Sequence, residues 1–125
     1  MTEGRSCECS VAPKLIFACS GGADTGEITD RAARKMGADG AGKLFCLAGI
    51  GGRVSGIMVS TQAAFRILVI DGCPLDCARR TLEEAGFDNF EHLRVTDLRM
   101  KKGESPPTPE RIGAVATEGA VKSVL

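Results

Sequence analysis

Three continuous apolar runs, each ending at or holding a cysteine, constrain the fold of this chain more than any other feature. Leu15-Ile16-Phe17-Ala18 leads into Cys19, Leu44-Phe45-Cys46-Leu47-Ala48 encloses Cys46, and Ile67-Leu68-Val69-Ile70 leads into Asp71-Gly72-Cys73. Short apolar runs that do not alternate with polar residues are expected of strands covered on both faces. Stretches with helical signals separate them. Strands alternating with helices through short connections predict a single-domain, three-layer α/β fold, with about four mainly parallel strands flanked by helices. Right-handed crossovers then give a Rossmann-like order of 2-1-3-4.

The punctuation of the chain supports that layout. Residues 1–13 read as a flexible polar arm carrying Cys7-Glu8-Cys9, and residues 14–125 as the domain. The first strand is expected over Lys14 to Ala18. Asp24 with Glu27 has the form of a capping box and predicts a helix from Thr25 to Met36, with Ile28, Ala32 and Met36 on one stripe. The second strand is expected over Lys43 to Ala48, a helix over Val54 to Phe65, and the third strand over Arg66 to Ile70. Pro74 suits the first position of a helix running to Ala85 and stopped by Gly86. A fourth strand over Phe90 to Val95, a linker over 101–107 and a helix opened by Thr108-Pro109-Glu110 complete the chain.

Composition narrows the function classes. A chain of 125 residues is about one domain and can bury a core without disulfides. Sixteen basic residues balance sixteen acidic ones with no basic stripe, and five Phe with no Trp or Tyr leave no stacking platform. Both points argue against nucleic acid as a partner. With no signal-peptide run and no membrane span, the expected location is cytoplasmic. There, six cysteines read as metal ligands or redox groups before they read as disulfides.

In the parallel arrangement Cys19, Cys46 and Cys73 converge at one edge of the sheet, where α/β folds bind ligands. Cys73 and Cys77 are four residues apart at an expected helix start, which places both on one face of the first turn, with Cys73 as N-cap. The helix terminus favours thiolate there, whereas Asp71 and Asp76 oppose further negative charge. A divalent cation resolves that conflict, and four sulfurs are the number that tetrahedral zinc uses. Cys19 and Cys46 as simple core fillers is the bland alternative.

Rival chemistries share these residues. Cys73 could act as an attacking thiol with Cys77 as its resolving partner in a thiol-redox enzyme. A metal-handling role or an iron–sulfur cluster could use the same four cysteines. Cys73 to Arg79 also spells C-x-x-x-x-x-R, a phosphatase-like pattern, but Pro74 removes an amide donor and the two aspartates repel phosphate. Asp24, Asp71 and Arg53 are the first candidates for contacting a substrate, although a cap, turn or surface role is preferred for each. His92, the single histidine, is expected to be structural. Cys7 and Cys9 could capture a soft metal or belong to an incidental tail.

Five segments together resemble the DGC-domain proteins, named for an Asp-Gly-Cys triplet. They are Phe17-Ala18-Cys19-Ser20-Gly21, Gly26 to Ala32, Phe45 to Gly52, Asp71 to Cys77, and Val95-Thr96-Asp97-Leu98. The resemblance implies a zinc-binding protein with Cys19, Cys46, Cys73 and Cys77 as ligands. It implies no substrate.

Overall fold

A computed structural model describes residues 13–124 of the chain. The four strands are β1 (Lys14–Ala18), β2 (Lys43–Leu44), β3 (Arg66–Asp71) and β4 (Glu91–Arg94). They form one sheet of order β2-β1-β3-β4, and every neighbouring pair is parallel. Five helices flank it: α1 (Asp24–Ala38), α2 (Leu47–Gly51), α3 (Ser55–Gln62), α4 (Cys77–Glu84) and α5 (Pro109–Val124), with a 3-10 turn at Val95–Leu98. The expected α/β class and strand order both hold.

Period-two geometry explains why the central strands are apolar throughout. Ile16, Ala18, Leu68 and Ile70 face Ile28, Ala32 and Met36 of α1 and Ile112 and Val115 of α5. Leu15, Phe17, Ile67 and Val69 face the other way, toward Ile50 of α2 and Ala78 and Leu82 of α4. Both faces are therefore core, and a polar residue at either phase would have no water to meet.

Three local expectations are corrected. The run Leu44 to Ala48 is not one strand: β2 stops at Leu44, Phe45 packs edge-on against Phe17, and Cys46 is the N-cap position of α2. Cys46 is exposed, so it does not fill the core. Asp24 and Glu27 form no capping box. Ala23 occupies the N-cap, and the Asp24 carboxylate instead accepts N–H groups from Thr25, Gly103 and Ser105. Two amides from a distant loop outcompete the local partner.

The third correction concerns Pro74. The helix begins at Cys77, not Pro74, and residues 73–76 form a turn closed by Asp76 N–H donating to the Cys73 carbonyl at 3.1 Å. Cys73 is therefore not an N-cap, and Cys73 and Cys77 do not share one helical turn. At the C-terminal helix the expectation holds, with Pro109 first and the Thr108 hydroxyl accepting the Arg111 N–H. The arm containing Cys7 and Cys9 lies outside the described residues.

Candidate metal centre

All four expected ligands stand at the carboxyl edge of the sheet. The Cys19 N–H donates to Ile70 O at 3.0 Å, which extends the β1–β3 ladder by one bond, and its sulfur lies 3.6 Å from Thr29 Oγ1. Ser20 follows in the left-handed region (φ 50°). Its N–H donates to Thr29 Oγ1 at 3.1 Å and its hydroxyl to Asp30 Oδ1 at 2.9 Å. Cys19 and Cys46 line one cleft of about 530 Å³, with Ser20, Asp30, Arg34 and Thr81 around them.

Cys73 lies in a different cleft. Its neighbours there are Pro74, Leu75, Met100 and Lys102, and the Lys102 ammonium stands 3.8 Å from its sulfur. The loop carrying Lys102 is held by Asp24, whose carboxyl stays below the usual range mainly because of the Gly103 and Ser105 N–H groups.

The first turn of α1 is wedged between the loops bearing Cys19 and Cys73. A Cβ on Gly26 would collide with the Gly21 carbonyl, and one on Gly72 would stand 3.0 Å from the Thr25 carbonyl. Those two glycines let backbone meet backbone where any side chain would force the cysteine loops apart.

Behind Cys73 and Cys77 lies a buried charged network. Asp71, 1% exposed, accepts the Ala78 N–H at 2.7 Å and the Arg79 N–H at 3.0 Å, thereby capping α4. Its Oδ2 also lies 2.8 Å from His92 Nε2. Asp76, 3% exposed, adopts the left-handed conformation (φ 53°, ψ 45°) immediately before Cys77. Arg94 grips it with a two-pronged contact, Nε at 2.8 Å and Nη2 at 2.6 Å. Arg79 adds a contact at 3.0 Å, and His92 Nε2 lies 3.7 Å away. The Arg94 hydrogen bonds hold the Asp76 carboxyl below the ordinary range despite burial, which acts the other way. The pair raises the Arg94 pKa in turn.

Among the described residues, ligand-type atoms of Asp71, Asp76 and His92 fall within 4.8 Å of one another. Their oxygens, however, already receive two backbone N–H groups and two guanidinium ions. Adding a divalent cation beside Arg79 and Arg94 would set like charges together at short range. The carboxylates of this cluster are thus already paired, with Arg79 Nε the one buried polar atom of the network left without a partner among the described residues, and His92 is held within it by Asp71. Arg79 is bound into it, which leaves the phosphatase-like pattern without a free arginine. Arg53 donates to the carbonyls of Ile50, Gly51 and Glu84, an architectural role.

Sequence reasoning read Asp76 only as an anion near the cysteines and missed Arg94, whose clamp on Asp76 emerges once the register sets Arg94 beside Asp71 across β3 and β4. The family model of the DGC domain matches residues 15–118, a span that includes the four cysteines and the whole network. The chain belongs to the DGC-domain family. Among curated proteins, the anaerobic and virulence modulator AnvM of Pseudomonas aeruginosa is 28% identical over 88 residues, which cover 70% of this chain and 67% of that protein. No solved structure matches.

Zinc fits this DGC domain by donor type: four free thiols, each exposed or half-buried, at one edge. The distances are not those of a bound ion. No three of the sulfurs fall within 4.8 Å of one another. Around zinc, with Zn–S bonds of about 2.3 Å, neighbouring sulfurs would stand about 3.8 Å apart. A zinc ion held by all four thiols would require the cysteine loops to close. No helix among the described residues is long and apolar enough to cross a membrane.

Proposed function

We propose that this protein binds one zinc ion through Cys19, Cys46, Cys73 and Cys77, in a structural or sensing centre. The observation that carries this reading is placement: the ends of three adjacent strands and the start of the helix after them each bring one thiol to the same edge, Cys46 and Cys77 exposed and Cys19 and Cys73 half-buried, with Cys19 also packed against the core. Binding would bring the four sulfurs together from the open arrangement described above. Four thiolates close the coordination sphere, which suits a stabilising or responsive centre better than hydrolysis. Oxidation of such thiolates would release the metal, giving the site a readout of oxidant in a reducing cytoplasm. The name of the similar protein AnvM, an anaerobic and virulence modulator, is compatible with that use.

The test is metal analysis of protein purified under reducing, chelator-free conditions, paired with a free-thiol count. The expected result is about one zinc per chain, lost on Cys→Ser substitution at any of the four positions. Iron with visible absorbance would point to a cluster instead. A second reading, thiol-redox chemistry at Cys73, draws on Lys102, whose ammonium stands 3.8 Å from its sulfur. It requires metal-free protein in which Cys73 and Cys77 oxidise to a disulfide, and Cys77→Ser would then leave the fold intact and trap a mixed disulfide on Cys73.

A further inference from the structure

We propose that Asp76 and Arg94 are positioning residues whose ion pair fixes the Cys73–Cys77 segment before any metal arrives. This rests on the zinc reading above and deepens it. A non-glycine residue persists in the left-handed region only where its surroundings hold it there. Asp76 is such a residue, and it directly precedes Cys77. Its backbone N–H closes the turn onto the Cys73 carbonyl, so its conformation sets how far apart, and in which direction, the two cysteines leave the backbone.

The anchor for that conformation lies on the sheet. Arg94 ends β4, and its planar fork meets both oxygens of Asp76. Arg79 closes a third side, and Arg80 Nε donates to the Leu75 carbonyl at 2.9 Å, pinning the middle of the turn. A lysine at 94 would keep the charge and lose the fork. Among the described residues no ion pair of this kind stands beside Cys46 or Cys19: Cys46 is exposed at the N-cap position of α2, and Ser20 next to Cys19 is held in the left-handed region by hydrogen bonds to Thr29 and Asp30. On this proposal the Cys73–Cys77 pair is the half of the site preset by an ion pair, and the Cys19 and Cys46 loops are the half without one.

The experiment compares wild type with Arg94→Lys and with Arg79→Gln, the latter at a half-exposed position where folding is safest. Zinc affinity is read by competition with a chromophoric chelator. Thiol-labelling rates of all four cysteines in metal-free protein are read by mass spectrometry. Substituting a partner behind a metal ligand typically costs 10- to 100-fold in affinity, and a loss of at least about tenfold is expected for Arg94→Lys, less for Arg79→Gln. In metal-free protein, labelling should accelerate at Cys73 and Cys77 while Cys19 and Cys46 keep their wild-type rates. That second pattern separates positioning from general destabilisation, which would speed all four. Should wild type take up no zinc, the zinc reading fails while the labelling pattern still decides the positioning role. Wild-type affinity in a folded Arg94→Lys, or acceleration at all four cysteines in both variants, would overturn it.

Discussion

The carboxyl edge of this sheet is built in two ways. Around Cys73 and Cys77, ionic groups are buried and cross-tied: Asp71 caps α4 and Asp76 is clamped by Arg94, with Arg79 and His92 packed between. Around Cys19 and Cys46 there are hydrogen bonds and one surface ion pair: the Ser20 N–H donates to the buried Thr29 Oγ1, the Ser20 hydroxyl donates to Asp30, and Asp30 pairs with Arg34, whose side chain is 66% exposed. Buried charges are costly to leave unpaired, so one half is locked by a penalty for opening it. The other half rests on hydrogen bonds to Thr29 and Asp30 and on the Gly26–Gly21 backbone contact, which hold position without that penalty. On the zinc reading, a site with one ion-paired half would load chiefly by movement of the other.

The sharpest way to break this contrast is to remove Asp71. Asp71→Ala would strand two helix-opening N–H groups and the His92 ring, and it should cost about 2–4 kcal/mol in urea unfolding, as loss of buried hydrogen-bond partners does. Next in size, Gly26→Ala tests the backbone contact. It gains helix propensity of up to about 1 kcal/mol, yet the new methyl meets the Gly21 carbonyl. The net expectation is a loss of about 1–3 kcal/mol, with amide shifts spread over residues 19–22 in NMR spectra.

Acid should separate the halves further. The Asp76 pKa is lowered in the folded state by Arg94, so its contribution is present above the unfolded aspartate pKa and is lost as pH falls through the folded value, below about pH 4. Arg94→Gln should flatten that part of the stability-against-pH curve, whereas Arg34→Gln should leave most of it unchanged. A curve equally steep in wild type and Arg94→Gln would show that other carboxylates govern acid unfolding. The smallest effect belongs to the exposed pair itself: Arg34→Ala should shift stability by no more than about 0.5 kcal/mol.

Much of the architecture was legible because it depends on pattern. Apolar runs with helical stretches between them specified parallel strands, and crossover handedness specified their order. The failures share a cause. Phe45-Cys46-Leu47-Ala48 is apolar whether it continues a strand or opens a helix, and periodicity over so few residues does not distinguish them. The capping box at Asp24 and the helix start at Pro74 were local signals overruled from afar, by the amides of Gly103 and Ser105 and by Arg94 on β4. The thiols were visible as a set because cysteines are rare. The charged network behind them was not, since aspartate and arginine are common and their pairing appears only once β3 and β4 lie side by side.

The all-parallel sheet also sets a timetable. No strand pairs with its neighbour through a hairpin, so each ladder waits until a connecting helix, or more, has been made. β1 needs β3 from the middle of the chain, and Asp76 needs Arg94, which follows it in order of synthesis. A ribosome-bound chain therefore exposes Cys19 and Cys46 while the segment that will oppose them has no fixed shape. On the zinc reading proposed above, an ion offered to the nascent chain would meet only Cys19 and Cys46, and loading would fall to the completed domain.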